Sequence, residues 1–165
     1  MPSDLKKRST RELFALFVAA LAELRSRGVT RSTNNPIADY AELLFENAMR
    51  LQLVEKSTKG YDAVDKAGRK YEIKGRRVTA HNKSRQLSSL RCLDQKQFTF
   101  LAGVLFDEDF SVRRACLVPH KQVLLVSRYS SHTNGWIFHL RDSVWDLPGV
   151  VDVTKKLQKA ELAHG

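Results

Sequence analysis

The stretch Gly60–Arg77, GYDAVDKAGRKYEIKGRR, decides the fold because its sequence predicts a β-hairpin. Residues 61–65 and 69–75 are the predicted arms. The segment Lys66-Ala67-Gly68 between them fits a three-residue loop, in which a type I turn is followed by a glycine in the left-handed conformation. A loop of two or four residues would change the pairing of the arms, so the register depends on Gly68.

This register places two carboxylates opposite each other. It pairs the residues that flank the loop and therefore sets Asp62 across from Glu72, with Cβ atoms about 4.5–5.5 Å apart. Because strand side chains alternate between faces, Glu72 and Lys74 share one face while Ile73 points to the other and can enter the core. The hairpin therefore gathers two acidic groups and one lysine.

Two like charges at that distance repel each other, so they favour a bound cation. The two carboxylates and the backbone carbonyl of Ile73 offer oxygen ligands, which suit Mg²⁺ or Mn²⁺. Lys74 would stand beside that ion, where an ammonium orients or activates a water and offsets charge that develops on a phosphate. Asp65 is typical of a turn residue but would replace Asp62 if the register slipped. The alternative is a solvated hairpin face with a Glu72–Lys74 ion pair.

The 165-residue chain is strongly basic, with 28 Lys and Arg against 18 Asp and Glu and a net charge of +10. Such an excess favours a polyanionic partner, most often nucleic acid, although a basic but functionally silent surface is the alternative. Between Lys66 and Arg91 there are nine basic residues and a single acidic one, Glu72. The best candidates for phosphate contacts in this segment are Arg76, Arg77, Lys83 and Arg85, with Gln86 in a polar role near the site.

The elements around the hairpin alternate between helix and strand. A capping box at Ser9–Glu12 starts a first helix, and Asn35-Pro36 starts a second that runs to about Leu53. The apolar run Phe98–Phe106 predicts a buried strand, and Ser111–Val118 returns beside it. The order predicts one α/β domain with a mixed sheet. Its parts are an N-terminal helix over 1–30, a core with the metal site over 36–118, and a C-terminal α/β extension over 119–165.

The two cysteines, Cys92 and Cys116, have no zinc-ligand spacing and are too few for a disulfide scaffold. They are expected to be reduced, in a cytoplasmic protein. The apolar run that follows the basic N-terminus is bounded by charged residues and has helical spacing. No stretch is long and apolar enough to span a membrane, so no membrane partner is expected.

With these residues in place, the sequence resembles the PD-(D/E)xK nuclease superfamily, which includes many restriction endonucleases and resolvases. Asp62 matches the first acidic position, and Glu72-Ile73-Lys74 matches the E-x-K. Glu42, on the helix before the hairpin, matches a helix glutamate that is common there. Gly60-Tyr61 replaces the proline usually found before the first aspartate. The likeness covers roughly Pro36 to Phe106, and the combination of NNPIADYAELL, KGYDAVD, YEIKGRR and SRQLSSLR resembles a bacterial family related to this superfamily.

The resemblance implies a restriction-endonuclease-like three-layer core, a mixed β-sheet flanked by helices, dependence on Mg²⁺ or Mn²⁺, and cleavage of nucleic acid, with DNA the expected substrate. Asp62, Glu72 and the Ile73 carbonyl would hold the ion, Lys74 would position or activate the water, and Glu42 would assist through a water or a second metal. Cutting both strands with one site per chain favours a homodimer. Two alternatives stay open: a nucleic-acid-binding module with little or no catalysis, and a partner-binding subunit of a restriction or defence system on the same fold.

Overall fold

The computed structural model describes residues 3–33 and 35–163 and belongs to the α/β class. Its helices are α1 (Thr10–Ser26), α2 (Pro36–Met49), α3 (His120–Val126) and α4 (Thr154–Leu162). Its strands are β1 (Gln52–Leu53), β2 (Ala63–Val64), β3 (Lys70–Arg77), β4 (Phe100–Phe106), β5 (Val112–Pro119), β6 (Arg128–Ser130), β7 (Gly135–Ile137) and β8 (Val151–Asp152). Short 3₁₀ turns occupy Ser3–Lys7, Leu93–Gln95 and Asp142–Asp146.

The chain divides into two compact units, Met1–Tyr40 and Ala41–Gly165, where the sequence predicts a single domain over 1–165. In the first unit, the predicted capping box at the start of α1 is confirmed. The Ser9 N–H donates to the Glu12 carboxylate at 2.7 Å, and the Glu12 N–H donates to Ser9 Oγ at 3.3 Å. These two bonds satisfy backbone donors that the first turn of a helix leaves unpaired.

The second unit contains a mixed six-stranded sheet in the order β1-β2-β3-β4-β5-β8. Strands β3 and β4 are parallel, and every other neighbouring pair is antiparallel. The mixed sheet that the sequence predicts is therefore confirmed. Strands β6 and β7 form a separate antiparallel ribbon. Helix α4 packs against β5, and α3 contacts both β4 and β5.

The core of the second unit is built on β4, which is buried from Leu101 to Phe106 because it lies between β3 and β5. Its register with β3 places Lys74 beside Gly103. The glycine makes room for the core, since a Cβ at this position would lie 2.9 Å from Leu140 Cδ2. The basic segment after β3 supplies Leu87 and Leu90 to the same core cluster, so part of this segment is buried.

Several element boundaries differ from the sequence prediction. Helix α2 was expected to reach about Leu53, but it ends at Met49 because Arg50 adopts a left-handed backbone with φ of 53°. This turn frees Gln52–Leu53 to pair with β2. No helix among the residues that the structure describes is both long and apolar enough to cross a bilayer.

Candidate metal centre

The hairpin loop has the predicted form. Gly68 has a φ of +76°, and its N–H donates to the Asp65 carbonyl at 2.9 Å. The Asp65 N–H donates in turn to the Arg69 carbonyl at 3.1 Å. The backbone pairs of β2 and β3 are those that this register requires, Ala63 with Tyr71 and Val64 with Lys70. The three-residue loop and its register are therefore confirmed.

Asp62 approaches β3 through its side chain and not as the backbone partner of Glu72. Its N–H donates to the Tyr71 carbonyl at 2.8 Å, and its Oδ2 accepts the Ile73 N–H at 2.7 Å. The carboxylate thus occupies the place that a backbone acceptor would take in a continued ladder. The predicted face-to-face pairing is corrected in this detail, because the ladder ends at Ala63 and Tyr71. A charge-assisted bond of this kind fixes the carboxylate at the edge of β3.

Glu72 and Lys74 lie on the same face of β3, as alternation predicts. Lys74 Nζ lies 2.7 Å from Glu72 Oε1, and the two side chains are 22% and 16% exposed, respectively. Ile73 between them is buried at 5% exposure. The N–H and carbonyl of one strand residue point to the same edge, so the Ile73 carbonyl faces the edge at which Asp62 is bound. The structure therefore brings Asp62, Glu72, Lys74 and the Ile73 carbonyl to one end of the hairpin.

The pKa of Asp62 reflects the acidic groups around it. Burial and then the charge of Glu72 raise the pKa of Asp62 to about 6 from the ordinary 3.8, and Glu42 adds a smaller increase. The hydrogen bond from Ile73 and the charge of Lys74 act in the opposite direction. Glu42, the glutamate predicted on α2, is therefore close enough to Asp62 to affect its ionisation. Crowded carboxylates of this kind are stabilised by a cation.

The ligand set is a small one. Within residues 3–33 and 35–163, no group of three or more His, Cys, Asp or Glu side chains is arranged to hold a metal ion. Two carboxylates and a backbone carbonyl are what the hairpin offers. This composition fits Mg²⁺ better than a metal that needs a full protein cage, because Mg²⁺ is usually bound through one or two carboxylates and keeps several waters.

Asp65 is a structural carboxylate, as its position beside the loop predicts. It accepts hydrogen bonds from the Ala67 N–H at 2.9 Å, from Arg69 Nε at 2.7 Å and from the Tyr71 hydroxyl at 3.0 Å. Burial alone would raise the pKa of Asp65, but the hydrogen bonds from Arg69 and Tyr71 outweigh it and lower the pKa. Because the register did not slip, Asp65 does not replace Asp62.

One of the predicted nucleic-acid contacts, Arg76, lies on the site's side of the hairpin. Arg76 shares the face of Lys74, and its guanidinium donates to the Ser84 carbonyl at 3.0 Å and to Asn82 Oδ1 at 3.2 Å. Arg76 thereby holds the loop that follows β3. Lys83, within that loop, is exposed. Arg76 therefore stabilises the loop, whereas the charge of Lys83 faces solvent.

The other predicted contacts are engaged elsewhere. Alternation puts Arg77 on the opposite face of β3 from Lys74, and its guanidinium lies 4.7 Å from the centre of the Phe110 ring. Arg85 pairs with Asp142 at 2.9 Å. Gln86 forms an isolated β-bridge with His139. The structure therefore does not gather all five predicted residues into one surface beside the carboxylates.

Sequence reasoning missed the role of Asp142. Its carboxylate accepts from Arg114 at 2.9 Å as well as pairing with Arg85, and these bonds lower the pKa of Asp142. No local pattern marks this aspartate, because both arginines lie far from it in the sequence.

The sequence matches no protein-family model and shows no significant similarity to any curated protein.

Proposed function

We propose that this protein is a divalent-metal-dependent nuclease that hydrolyses phosphodiester bonds, with DNA as its substrate. The observation that carries the proposal is the placement of the Asp62 carboxylate, which is bound to the Ile73 N–H beside the Glu72–Lys74 pair. Two charged groups on β3 and the carboxylate that precedes β2, an acid with a raised pKa, form a site suited to a hard cation and a phosphate.

In the proposed hydrolysis, the side chains of the site have different roles. Asp62, Glu72 and the Ile73 carbonyl would hold Mg²⁺ or Mn²⁺, which supplies positive charge against the negative charge that builds on the phosphate. Lys74 has three N–H donors, so its contact with Glu72 leaves donors for the attacking water or a phosphate oxygen. The water oxygen bonds to phosphorus, one P–O bond breaks, and the leaving oxygen takes a proton. Glu42 adds negative charge that helps to retain the cation.

The proposal includes the restriction-endonuclease-like three-layer core. It is supported by the parallel pairing of β3 with β4 and by the position of the E-x-K residues on β3. A cytoplasmic location belongs to the same proposal and agrees with two free cysteines, Cys92 and Cys116. A homodimer would supply one site for each strand of a duplex.

A cleavage assay tests this function. Plasmid, linear and branched DNA and RNA are incubated with the chain in Mg²⁺, Mn²⁺ or EDTA. We expect products only with metal, and a loss of about a hundredfold or more in rate for Lys74→Ala and Asp62→Asn, because electrostatic groups at such sites contribute at this level. Asp65→Asn is the matched control, since Asp65 lies in the same hairpin but bonds only its own loop and Tyr71.

Two results would reject the nuclease site. Cleavage that persists in EDTA shows that no metal is needed, and cleavage that is unchanged in both Lys74→Ala and Asp62→Asn shows that these residues do not act. Absence of cleavage on every substrate, together with salt-sensitive binding of nucleic acid, would instead support the binding module that the sequence leaves open.

A further inference from the structure

A cavity of about 370 Å³ lies beside the β6–β7 ribbon, and none of its lining residues belongs to the candidate metal centre. Its volume lies within the range of about 300–1,000 Å³ that is usual for small-molecule sites. The lining is of two kinds, four aliphatic side chains and four polar ones. The aliphatic residues are Val126, Ile137, Val144 and Leu147, and the polar residues are Arg128, His139, Arg141 and Ser143.

Strand pairing and alternation build the polar wall. Arg128 on β6 is the direct partner of Ile137 on β7, so their side chains stand next to each other on one face. His139 and Arg141 follow Ile137 at intervals of two residues and also line the cavity. Phe138, which lies between Ile137 and His139, is fully buried in the core. The alternation that buries this phenylalanine therefore places His139 and Arg141 along the cavity, and strand pairing places Arg128 beside Ile137.

The two arginines are not neutralised by the protein. Among residues 3–33 and 35–163, neither Arg128 nor Arg141 has an ion-pair or hydrogen-bond partner for its guanidinium. The acidic residue next to Arg141 in sequence, Asp142, has its two oxygens bound to Arg85 and Arg114 at 2.9 Å. The cavity is thus lined by two guanidinium groups that are not paired with a carboxylate in the described part of the chain.

His139 shows that these charges converge. Burial and then the charges of Arg141 and Arg128 lower the pKa of His139, which favours the neutral imidazole. A neutral imidazole provides one N–H donor and one acceptor. A ligand that reaches this wall therefore meets two guanidinium groups and an imidazole together, which is an environment for an anion.

We propose that this cavity binds a nucleoside 5′-monophosphate unit, with the phosphate on Arg128 and Arg141 and the base against Val126, Ile137 and Leu147. The planar fork of an arginine matches phosphate oxygens in a bidentate manner, which a lysine does not. The aliphatic wall requires an apolar surface on the same ligand, which a free inorganic anion lacks and a base provides. The inference does not depend on cleavage at the metal centre.

Calorimetric titration of the full chain in EDTA tests the proposal. The probes are adenosine 5′-monophosphate, adenosine and inorganic phosphate. We expect the monophosphate to bind at least tenfold more tightly than either fragment, and both Arg128→Gln and Arg141→Gln to weaken it at least tenfold. Arg91→Gln is the matched control, because Arg91 is exposed and does not line the cavity. Thermal melting of each variant confirms that it is folded.

A second arm identifies the source of the nucleotide. If a 5′-phosphorylated oligonucleotide displaces the monophosphate and its 5′-hydroxyl counterpart does not, the cavity takes a strand terminus; if neither displaces it, the cavity takes a free nucleotide. The proposal is overturned by the absence of saturable monophosphate binding, by equal binding of adenosine or of phosphate, or by equal weakening in Arg91→Gln. Asp62→Asn should retain monophosphate binding, which separates this inference from the nuclease proposal.

Discussion

Asp62 and Asp65 lie three residues apart in one hairpin, yet their carboxylates have opposite electrostatic environments. Asp65 receives hydrogen bonds from its loop that lower its pKa. Asp62 receives one backbone N–H, and burial together with the charge of Glu72 raises its pKa to about 6. At neutral pH the ionised Asp62 is therefore a cost to folding that a bound cation would offset, whereas Asp65 stabilises the fold.

Replacing Asp62 by asparagine should raise the melting temperature of the metal-free chain at pH 7.5. Asp62 has a pKa of about 6 in the folded chain and an ordinary value of 3.8, so the folded state binds more protons between these values and loses stability as the pH rises through them. Above pH 6 the cost is complete, and near pH 4 it disappears. The asparagine oxygen can still accept the Ile73 N–H.

Scanning calorimetry in EDTA at pH 4, 5, 6 and 7.5 measures this effect. The gain from Asp62→Asn should shrink toward pH 4. Asp65→Asn should show the reverse sign, a lower melting temperature at pH 7.5, because the depressed pKa of Asp65 stabilises the folded state at neutral pH and is lost on acidification. A lower melting temperature for Asp62→Asn at pH 7.5 would contradict the burial argument.

At the scale of the element, the hairpin is specified by its loop. Gly68 has a positive φ and no heavy atom within 4 Å of an added Cβ, so the backbone conformation alone requires glycine there. This is why the register could be predicted from the sequence, since the loop length and one glycine fix it locally. The end of the ladder could not be predicted in the same way, because a side-chain oxygen replaces a backbone oxygen at Asp62.

Gly68→Ala should destabilise the chain by about 1 kcal/mol and reduce metal-dependent cleavage, because strain in the loop disturbs the register that places Asp62 against β3. Gly28→Ala is the control: Gly28 has a φ of +72° and equally open surroundings, but it lies in the first unit. Urea unfolding and a cleavage assay are measured for both. Equal loss of cleavage in the two variants would show that register is not the cause.

In and beside the loop after β3, Arg76 and Lys83 are expected to contribute differently: Arg76 maintains the loop conformation, and Lys83 contributes charge. Arg76→Ala removes two hydrogen bonds to the loop and should lower both stability and nucleic-acid affinity. Lys83→Ala removes an exposed charge and should leave stability unchanged while reducing the slope of log affinity against log salt by about 1. Fluorescence anisotropy over a salt series measures the affinities. An unchanged slope in Lys83→Ala would remove Lys83 from the phosphate contacts.

At the scale of the whole molecule, the net charge of +10 is the main physical feature that bears on a partner. The structure distributes that charge unevenly. Arg69, Arg113 and Arg114 are paired with carboxylates, whereas Arg128 and Arg141 line a cavity without such partners in the described part of the chain. The basic residues thus differ in whether a carboxylate neutralises them.

Binding of a DNA duplex should weaken steeply with salt, because each neutralised phosphate contributes about −0.9 to the slope of log affinity against log salt. We expect a slope steeper than about −2 between about 50 and 200 mM salt for the wild-type chain. Anisotropy titrations in EDTA, which prevents metal-dependent cleavage, provide the measurement. Affinity that does not change with salt would mean that the basic residues do not contact phosphate.

The sequence by itself determined the local features: the capping box at Ser9, the Gly68 loop, and the alternation that puts Glu72 and Lys74 on one face. These depend on interactions between residues close in the chain, so composition and spacing specify them. The tertiary structure alone decided that Arg77 lies over Phe110, that Asp142 binds Arg85, and that a cavity opens beside the β6–β7 ribbon. Such contacts join residues distant in sequence, and only the packing of strands and loops around β4 brings them together.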